Sequence, residues 1–389
     1  MIIKTKNRQR LKGQHALTLT FLTHKKLQAT AILLAPLLLW GCIKTSNQTS
    51  DDTDYKLNHL TLGISFPPVA NHEQRELTAP VLHELGVRHI RIGEDWSFRE
   101  PTKGNFTWQS LDERIAWAES NGYKVLLTLQ SKGPDWACSA LKNDRSCVFS
   151  DDTDFKQYVE QLLQRYRGKL YKIQFGNEWQ SPWWYIGSPS QFAAASNIVY
   201  DAIQTYSPTT TFVLGGFSTI ALRYLAGCDG AVSSFYDDDG NHYDQAYLDS
   251  QCHSDEINTA RNTITHVLQH SRYDEIDIHL YDDVEQWDEY YFNLLSLVSK
   301  PVIVTEFGGP NINLEPSSEE YQAEQLAKYI RKLDSLALSE AYFFTLVEGI
   351  TNNAAHAASG LIINNNALTK KEAYATFMKF SSNEPRTEP

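Results

Sequence analysis

Arg88 to Gln130 reads RHIRIGEDWSFREPTKGNFTWQSLDERIAWAESNGYKVLLTLQ. It opens on a short β-branched run (88–92, RHIRI) and closes on a second (124–130, KVLLTLQ). Between them, residues 111–121 repeat apolar side chains at helical spacing, with Ser110 and Glu113 placed as a capping box. Only Asn121-Gly122-Tyr123 separates this helix from the second strand, whereas a long polar stretch precedes the helix. Strand, long loop, helix, tight turn and strand make one βαβ unit, which joins parallel strands by a right-handed crossover.

The unit recurs along the chain. Further strand candidates lie at 60–66, 171–177, 211–216, 275–281, 301–306 and 341–347. Helical patterns fall near 73–85, 154–167, 190–206, 256–271, 285–298, 318–335 and 370–380, with Asp154 placed to cap the helix beginning at Phe155. Eight strands alternating with eight helices is the count of an α/β fold closed as a (β/α)₈ TIM barrel. A doubly wound open sheet is the alternative, but no G-x-G-x-x-G or Walker-type loop follows any strand. The connections after the third strand (131–153), the fourth (178–189) and the fifth (217–255) are long, so they gather on the C-terminal face, where barrels build their sites. The barrel domain is bounded at 59–382, with a C-terminal tail at 383–389.

Two strands end on a carboxylate. The fourth finishes IQFGNEWQ (173–180) with Asn177 and Glu178, and the seventh finishes PVIVTEFGG (301–309) with Glu306. At one height on opposite sides of a barrel mouth, two glutamates form the pair that glycosidic cleavage needs, one protonated and one ionised. Structural ion pairing is the competing reading. On the sixth strand His279 and Tyr281 share one face by period-two alternation and point inward, unless His279 is only a satisfied core histidine. Arg91 on the second strand either serves the site or neutralises Glu94 or Asp95. Trp179, Trp183 and Trp184 follow the first glutamate, and Trp96 follows the second strand; such aromatics suit stacking on sugar rings, though some of them only pack a loop.

GNEW and VTEFG in these places resemble the motifs of the clan A glycoside hydrolases, retaining enzymes built on a (β/α)₈ barrel. The stretch from Gly86 to Leu129, with an Arg on strand two, an EPxxG turn and an aromatic before the helix, is similar to the same clan's strand-two-to-strand-three pattern, and the sequence as a whole loosely resembles its β-xylosidase and exopolysaccharide-glycosidase branch. The resemblance covers residues 60–380. It implies that Glu178 is the acid/base, Glu306 the nucleophile, Asn177 a holder of the substrate 2-hydroxyl, and Arg91, His279 and Tyr281 neighbours of the nucleophile. One departure stands out: many clan members end strand eight with Trp, and here YFFTLVEG offers Phe344 and Glu348 instead.

The first 41 residues carry seven Lys/Arg and no acid, and end in an apolar run from Ala29 to Trp40. At 12 residues that run is short for a membrane span and reads as the core of a secretory signal. LLWGC, Leu38 to Cys42, resembles the bacterial lipobox, which implies acylation of Cys42; a soluble secreted protein with a stray cysteine is the alternative. Ile43 after that Cys resembles the sorting pattern that directs lipoproteins to the outer membrane, and residues 42–58 form a polar tether. Removal of the leader leaves 28 basic against 47 acidic residues, a formal charge of −19 that disfavours nucleic acid. The other cysteines form two local pairs, Cys138 with Cys147 and Cys228 with Cys252, matching the disulfides of an exported protein; neither pair has C-x-x-C spacing, and metal binding is the weaker reading. Asp237-Asp238-Asp239-Gly240 lacks EF-hand spacing and reads as a solvated loop.

These readings converge on a lipid-anchored, monomeric glycosidase cleaving a poly- or oligosaccharide without metal or cofactor. A non-catalytic polysaccharide-binding barrel and a transglycosylase remain the alternatives.

Overall fold

A computed structural model describes residues 55–382, except 238–239, 310–317, 350–355, 357 and 366. The leader, Cys42, the tether to residue 54, the tail at 383–389, and Asp238 and Asp239 lie outside the described residues.

Eight parallel strands close a barrel: β1 (Thr61–Ser65), β2 (His89–Glu94), β3 (Lys124–Leu129), β4 (Lys172–Phe175), β5 (Thr211–Phe217), β6 (Glu275–Tyr281), β7 (Val302–Gly308) and β8 (Glu340–Phe343). Each pairs with its sequence neighbours, and β8 returns to β1. The crossover helices are α1 (His72–Glu84), α2 (Gln109–Ser120), α3 (Asp152–Arg165), α4 (Pro189–Tyr206), α5 (Asp255–His270), α6 (Trp287–Leu295), α7 (Glu319–Ser335) and α8 (Glu372–Ser381). The barrel and its eight helices therefore match the expected alternation. Among the described residues no helix is long and apolar enough to cross a membrane.

Period-two alternation sorts each strand between two cores. Outward residues such as Ile276, Ile278 and Leu280 pack under the helices in one continuous apolar shell. Inward, Leu126 of β3, Val213 of β5 and Ile303 of β7 meet Tyr342 of β8 in a separate apolar layer. The remaining odd strand contributes Gly63, where an added Cβ would come 2.5 Å from the Tyr342 ring, so β1 yields a side chain to admit that of β8. Below this layer, Lys172 lies 2.5 Å from Glu275 and 3.0 Å from Glu340, supplied by alternating strands as barrel layers are. Above it the interior is polar again, and there the site begins.

Two expected caps fall differently. Asp151, not Asp154, caps α3 by accepting from Thr153 N, and Asp154 pairs with Lys103 at 2.6 Å. Helix α2 starts one residue before Ser110 and has no side-chain cap; Glu113 instead meets Arg75 at 2.9 Å. The expected tether also ends earlier than residue 58. Tyr55 Oη and Asn58 N each donate to the buried Asp334 carboxylate at 2.9 Å, which pins this segment to α7.

The long loops carry structure of their own. Cys138–Lys142 and Cys147–Phe149 form a hairpin joined by the Cys138–Cys147 disulfide. The segment after β5 holds helices Thr219–Cys228 and Gln245–Gln251 around a small apolar cluster, closed by the Cys228–Cys252 disulfide. Both expected pairings are present.

Candidate active site

Strand β4 ends at Phe175, and the chain then turns through Gly176 (φ 79°) and Glu178 (φ 42°). Glycine suits the first position, where a Cβ would stand 2.8 Å from the Phe192 ring. Glu178 takes the left-handed region without that freedom, a strain of the kind that recurs where a side chain must be aimed. Its Oε1 lies 2.8 Å from His279 Nδ1, and its Oε2 accepts from Trp184 Nε1 at 2.9 Å.

Glu306 sits inside β7 on the facing side. Arg91 Nη1 donates to its Oε1 at 2.6 Å, and Tyr281 Oη donates to Oε2 at 2.7 Å. One oxygen of Glu178, one oxygen of Glu306 and a His279 nitrogen all lie within 4.8 Å of one another. The Glu178 side chain is 21% exposed and that of Glu306 11%, so the first is the more open to solvent.

Arg91 is fully buried and held by its neighbours. Nε donates to Thr128 and Gln174 at 2.9 Å, Nη2 donates to Asn177 Oδ1 at 2.7 Å, and the Phe66 ring lies 4.5 Å from Cζ. Neutralising Glu94 falls to Arg99 and Arg114 instead. With Asn177 Oδ1 facing Arg91, the Asn177 amide N–H groups have no acceptor among the described residues.

Beneath the carboxylates lies a buried acid that sequence reading missed. Asp277 accepts from Gln174 Nε2 at 2.5 Å, from Thr305 N at 2.8 Å and from Thr305 Oγ1 at 2.6 Å, and its Oδ2 lies 3.3 Å from His279 Nε2. Its signal was available, because Asp277 stands two residues before His279 on the same inward face of β6. No comparable pattern marked Gln174 or Thr128.

Electrostatics follow from these contacts. Burial pulls His279 down, but the charges of Glu306 and Asp277, with hydrogen bonds to Asp277 and Glu178, outweigh it and raise the imidazole to about 10. Burial pushes Glu306 up, yet the His279 and Arg91 charges and the Tyr281 and Arg91 hydrogen bonds hold its carboxyl below the usual range. Burial, then the Glu306 charge, keeps the Tyr281 phenol far above its ordinary value, so it remains a donor. Glu178, His279 and Glu306 have the ligand types of a metal centre; here both His279 nitrogens face carboxylates, Nδ1 that of Glu178 at 2.8 Å and Nε2 that of Asp277 at 3.3 Å.

The tryptophans divide. Trp96 is buried among Trp136, Phe149, Phe155 and Tyr158 and donates to Glu100 at 2.8 Å; it packs a loop and does not reach the mouth. Trp179 is likewise buried, donating to the Gly215 carbonyl at 2.6 Å and stacking on Phe192. Trp184 stays at the mouth, and Trp183 is 62% exposed. At the end of strand eight, Phe344 meets Tyr281 and Phe66 edge-on, each at 6.5 Å, whereas Glu348 is drawn away to Lys371 at 2.8 Å. His356, not anticipated, packs its ring 4.4 Å from Tyr281. Cavities of about 490 and 530 Å³ open beside the mouth along the loops after β1, β2 and β8; neither is lined by Glu178 or Glu306, so side-chain geometry rather than cavity size locates the chemistry.

Known proteins agree with this architecture. A stretch of 78 residues is 37% identical to a β-galactosidase of Thermus thermophilus, and one of 89 residues is 28% identical to endo-1,4-β-xylanase B of Humicola insolens. These cover 19% and 22% of this chain, and 12% and 24% of the relatives, so the chain spans a quarter or less of their own lengths. Among solved structures, a GH5_18 variant from Streptomyces cattleya in complex with Manb1-4GlcNAc superposes with a TM-score of 0.60 at 15% identity, covering 85% of this chain and 81% of that one, a likeness of fold. Residues 63–342 match the family model described as Cellulase (glycosyl hydrolase family 5), well over half of the 389 residues. The chain belongs to glycosyl hydrolase family 5.

Proposed function

We propose that the protein is a retaining glycoside hydrolase that cleaves O-glycosidic bonds in a poly- or oligosaccharide. The observation that carries this reading is the approach of the two carboxylates, an oxygen of each within 4.8 Å of the other. Retaining enzymes hold the pair about 5–5.5 Å apart, whereas inverting ones need roughly 6.5–9.5 Å to admit a water. Glu306, kept ionised by Arg91 and His279, attacks the anomeric carbon. Glu178, the more open carboxyl, gives its proton to the glycosidic oxygen as the bond to the leaving group breaks. Glu178 then takes a proton from the water that cleaves the glycosyl ester, which restores both residues. Asn177 offers its N–H groups to the sugar ring, and Phe344 with Tyr281 walls the same chamber. The set is complete within one barrel, so a monomer suffices.

The test is hydrolysis by the full chain of a panel of aryl glycosides and polysaccharides, with proton NMR of the first-formed anomer. Retention on any member supports the reading; initial inversion, or no turnover across the panel, defeats it.

We infer also that Cys42 is acylated and holds the enzyme at the outer membrane, on the strength of the LLWGC stretch after the apolar run. Wild type partitions into detergent and Cys42→Ser into the aqueous phase if this is right; identical partitioning rejects it.

A further inference from the structure

The loop following Glu178 is clamped from outside by the turn of the disulfide-bonded hairpin and by Ser131 just after β3. Asn143 Nδ2 donates to the Pro182 carbonyl at 2.9 Å, and Ser131 Oγ donates to the Trp184 carbonyl at 3.1 Å. At the hairpin tip, the Arg145 guanidinium carbon lies 4.9 Å from the Trp183 ring centre and 4.5 Å from that of Trp184. A guanidinium laid on indole faces is held in place, while its N–H groups point outward in its own plane. None of the Arg145 side-chain N–H groups has a protein acceptor, and Arg145 forms no ion pair, among the described residues. Lys132 Nζ, bonded to the Asp144 carbonyl at 2.8 Å, brings a second cation to the tip. The same Trp184 donates to Glu178 at 2.9 Å, so this fork stands on the acid/base side of the mouth.

We propose that Arg145, with Trp183 and Trp184, forms a leaving-group subsite for an anionic sugar, a uronic acid residue whose carboxylate takes the guanidinium fork while its ring lies along Trp183. This rests on the reading of Glu178 as the acid, because the acid faces the leaving group. The physical case is one of pre-organisation. An exposed arginine ordinarily spends rotamer entropy when it binds, but one already stacked has lost that freedom. Its unused planar fork matches a carboxylate in two parallel hydrogen bonds, where a neutral sugar offers only hydroxyls. On a chain with 47 acidic and 35 basic residues, Arg145 and Lys132 outnumber the one acid of the tip, Asp144, and run against the general charge, which locally favours an anionic ligand.

The test is binding to the full chain, read by tryptophan fluorescence and ligand-observed NMR, of methyl β-D-glucuronide, methyl β-D-glucoside and the glucoside 6-sulfate. The glucuronide should bind about tenfold more tightly than the glucoside, with the difference shrinking at high salt. Arg145→Gln should abolish that preference, and Arg145→Lys should keep a smaller part of it because the charge remains without the fork. Disulfide mapping of both variants checks that the hairpin is intact. Equal binding of the three probes, no binding of the glucuronide, or an unchanged preference in Arg145→Gln overturns the proposal; tighter binding of the sulfate than of the glucuronide overturns the uronate assignment. No turnover is involved, so an inactive protein with this preference would defeat the hydrolase reading and leave the anionic subsite standing.

Discussion

His279 Nδ1 lies 2.8 Å from Oε1 of Glu178. The imidazole also stands 3.6 Å from Glu306 and 3.3 Å from Asp277, so one buried ring touches three carboxylates. Its pKa is raised from 6.5 to about 10. A raised folded value means that the folded protein retains a proton which the unfolded chain releases near 6.5. The resulting stabilisation is complete below that pH and is lost as pH rises through about 10. Wild type should lose stability on the order of a few kcal/mol over this window, and His279→Asn should not show that decline. Urea melts of both proteins across the window check it; parallel curves reject the charged imidazole.

Asp277 supplies part of that effect from below. Asp277→Asn removes a negative charge beside Nε2 and mismatches one of its three donors, which costs about 1–3 kcal/mol of stability. Asp277 lies beneath the carboxylates and acts through His279, so kcat should fall by roughly tenfold to a hundredfold with KM little changed, the scale known for carboxylates that orient metal-bound histidines. The His279 imidazole should release its proton at lower pH, because it loses a proton-holding partner, and NMR titration of the ring reads this shift. An imidazole titration unmoved by the substitution would mean that Asp277 only packs.

The barrel was legible because its outward faces are apolar with a strict period, and strand ends such as Glu306 interrupt that period with a charge. The interior polar layers were harder to read. Gln174 and Thr128 are ordinary strand residues one at a time, and only barrel closure brings both to Arg91 Nε. Trp96 and Trp179 misled for the same reason: sequence places them beside the mouth, but burial turns their rings away from it. The helix Thr219–Cys228 was hidden in a long connection because eight of its ten residues are buried, so no run of polar residues marks a solvent face.

The Cys138–Cys147 bridge supports the wall that positions Glu178. Replacing both cysteines with serine should destabilise by roughly 2–3 kcal/mol, since the closed loop is short. Freed from the hairpin, Trp184 holds the Glu178 carboxyl less firmly. Turnover of substrates with poor leaving groups, which need the acid, should therefore drop several-fold more than that of activated ones. Equal loss on both classes, measured as kcat/KM, would detach the hairpin from acid catalysis.

The two glutamates should fail in different ways when removed. Glu306 receives Arg91 and Tyr281 and stays ionised, so Glu306→Ala loses the attacking group and nearly all turnover, even with an activated leaving group. Glu178→Ala still forms the glycosyl-enzyme from substrates with good leaving groups, but stalls because no base activates water. Azide separates the two. In Glu178→Ala it attacks the glycosyl-enzyme and yields a glycosyl azide of retained configuration. In Glu306→Ala it occupies the vacated space, attacks the substrate directly and yields the inverted product. NMR of the azide adducts reads the outcome, and the reverse pattern would exchange the two roles. Wild-type turnover in both variants would move the chemistry away from these strand ends altogether.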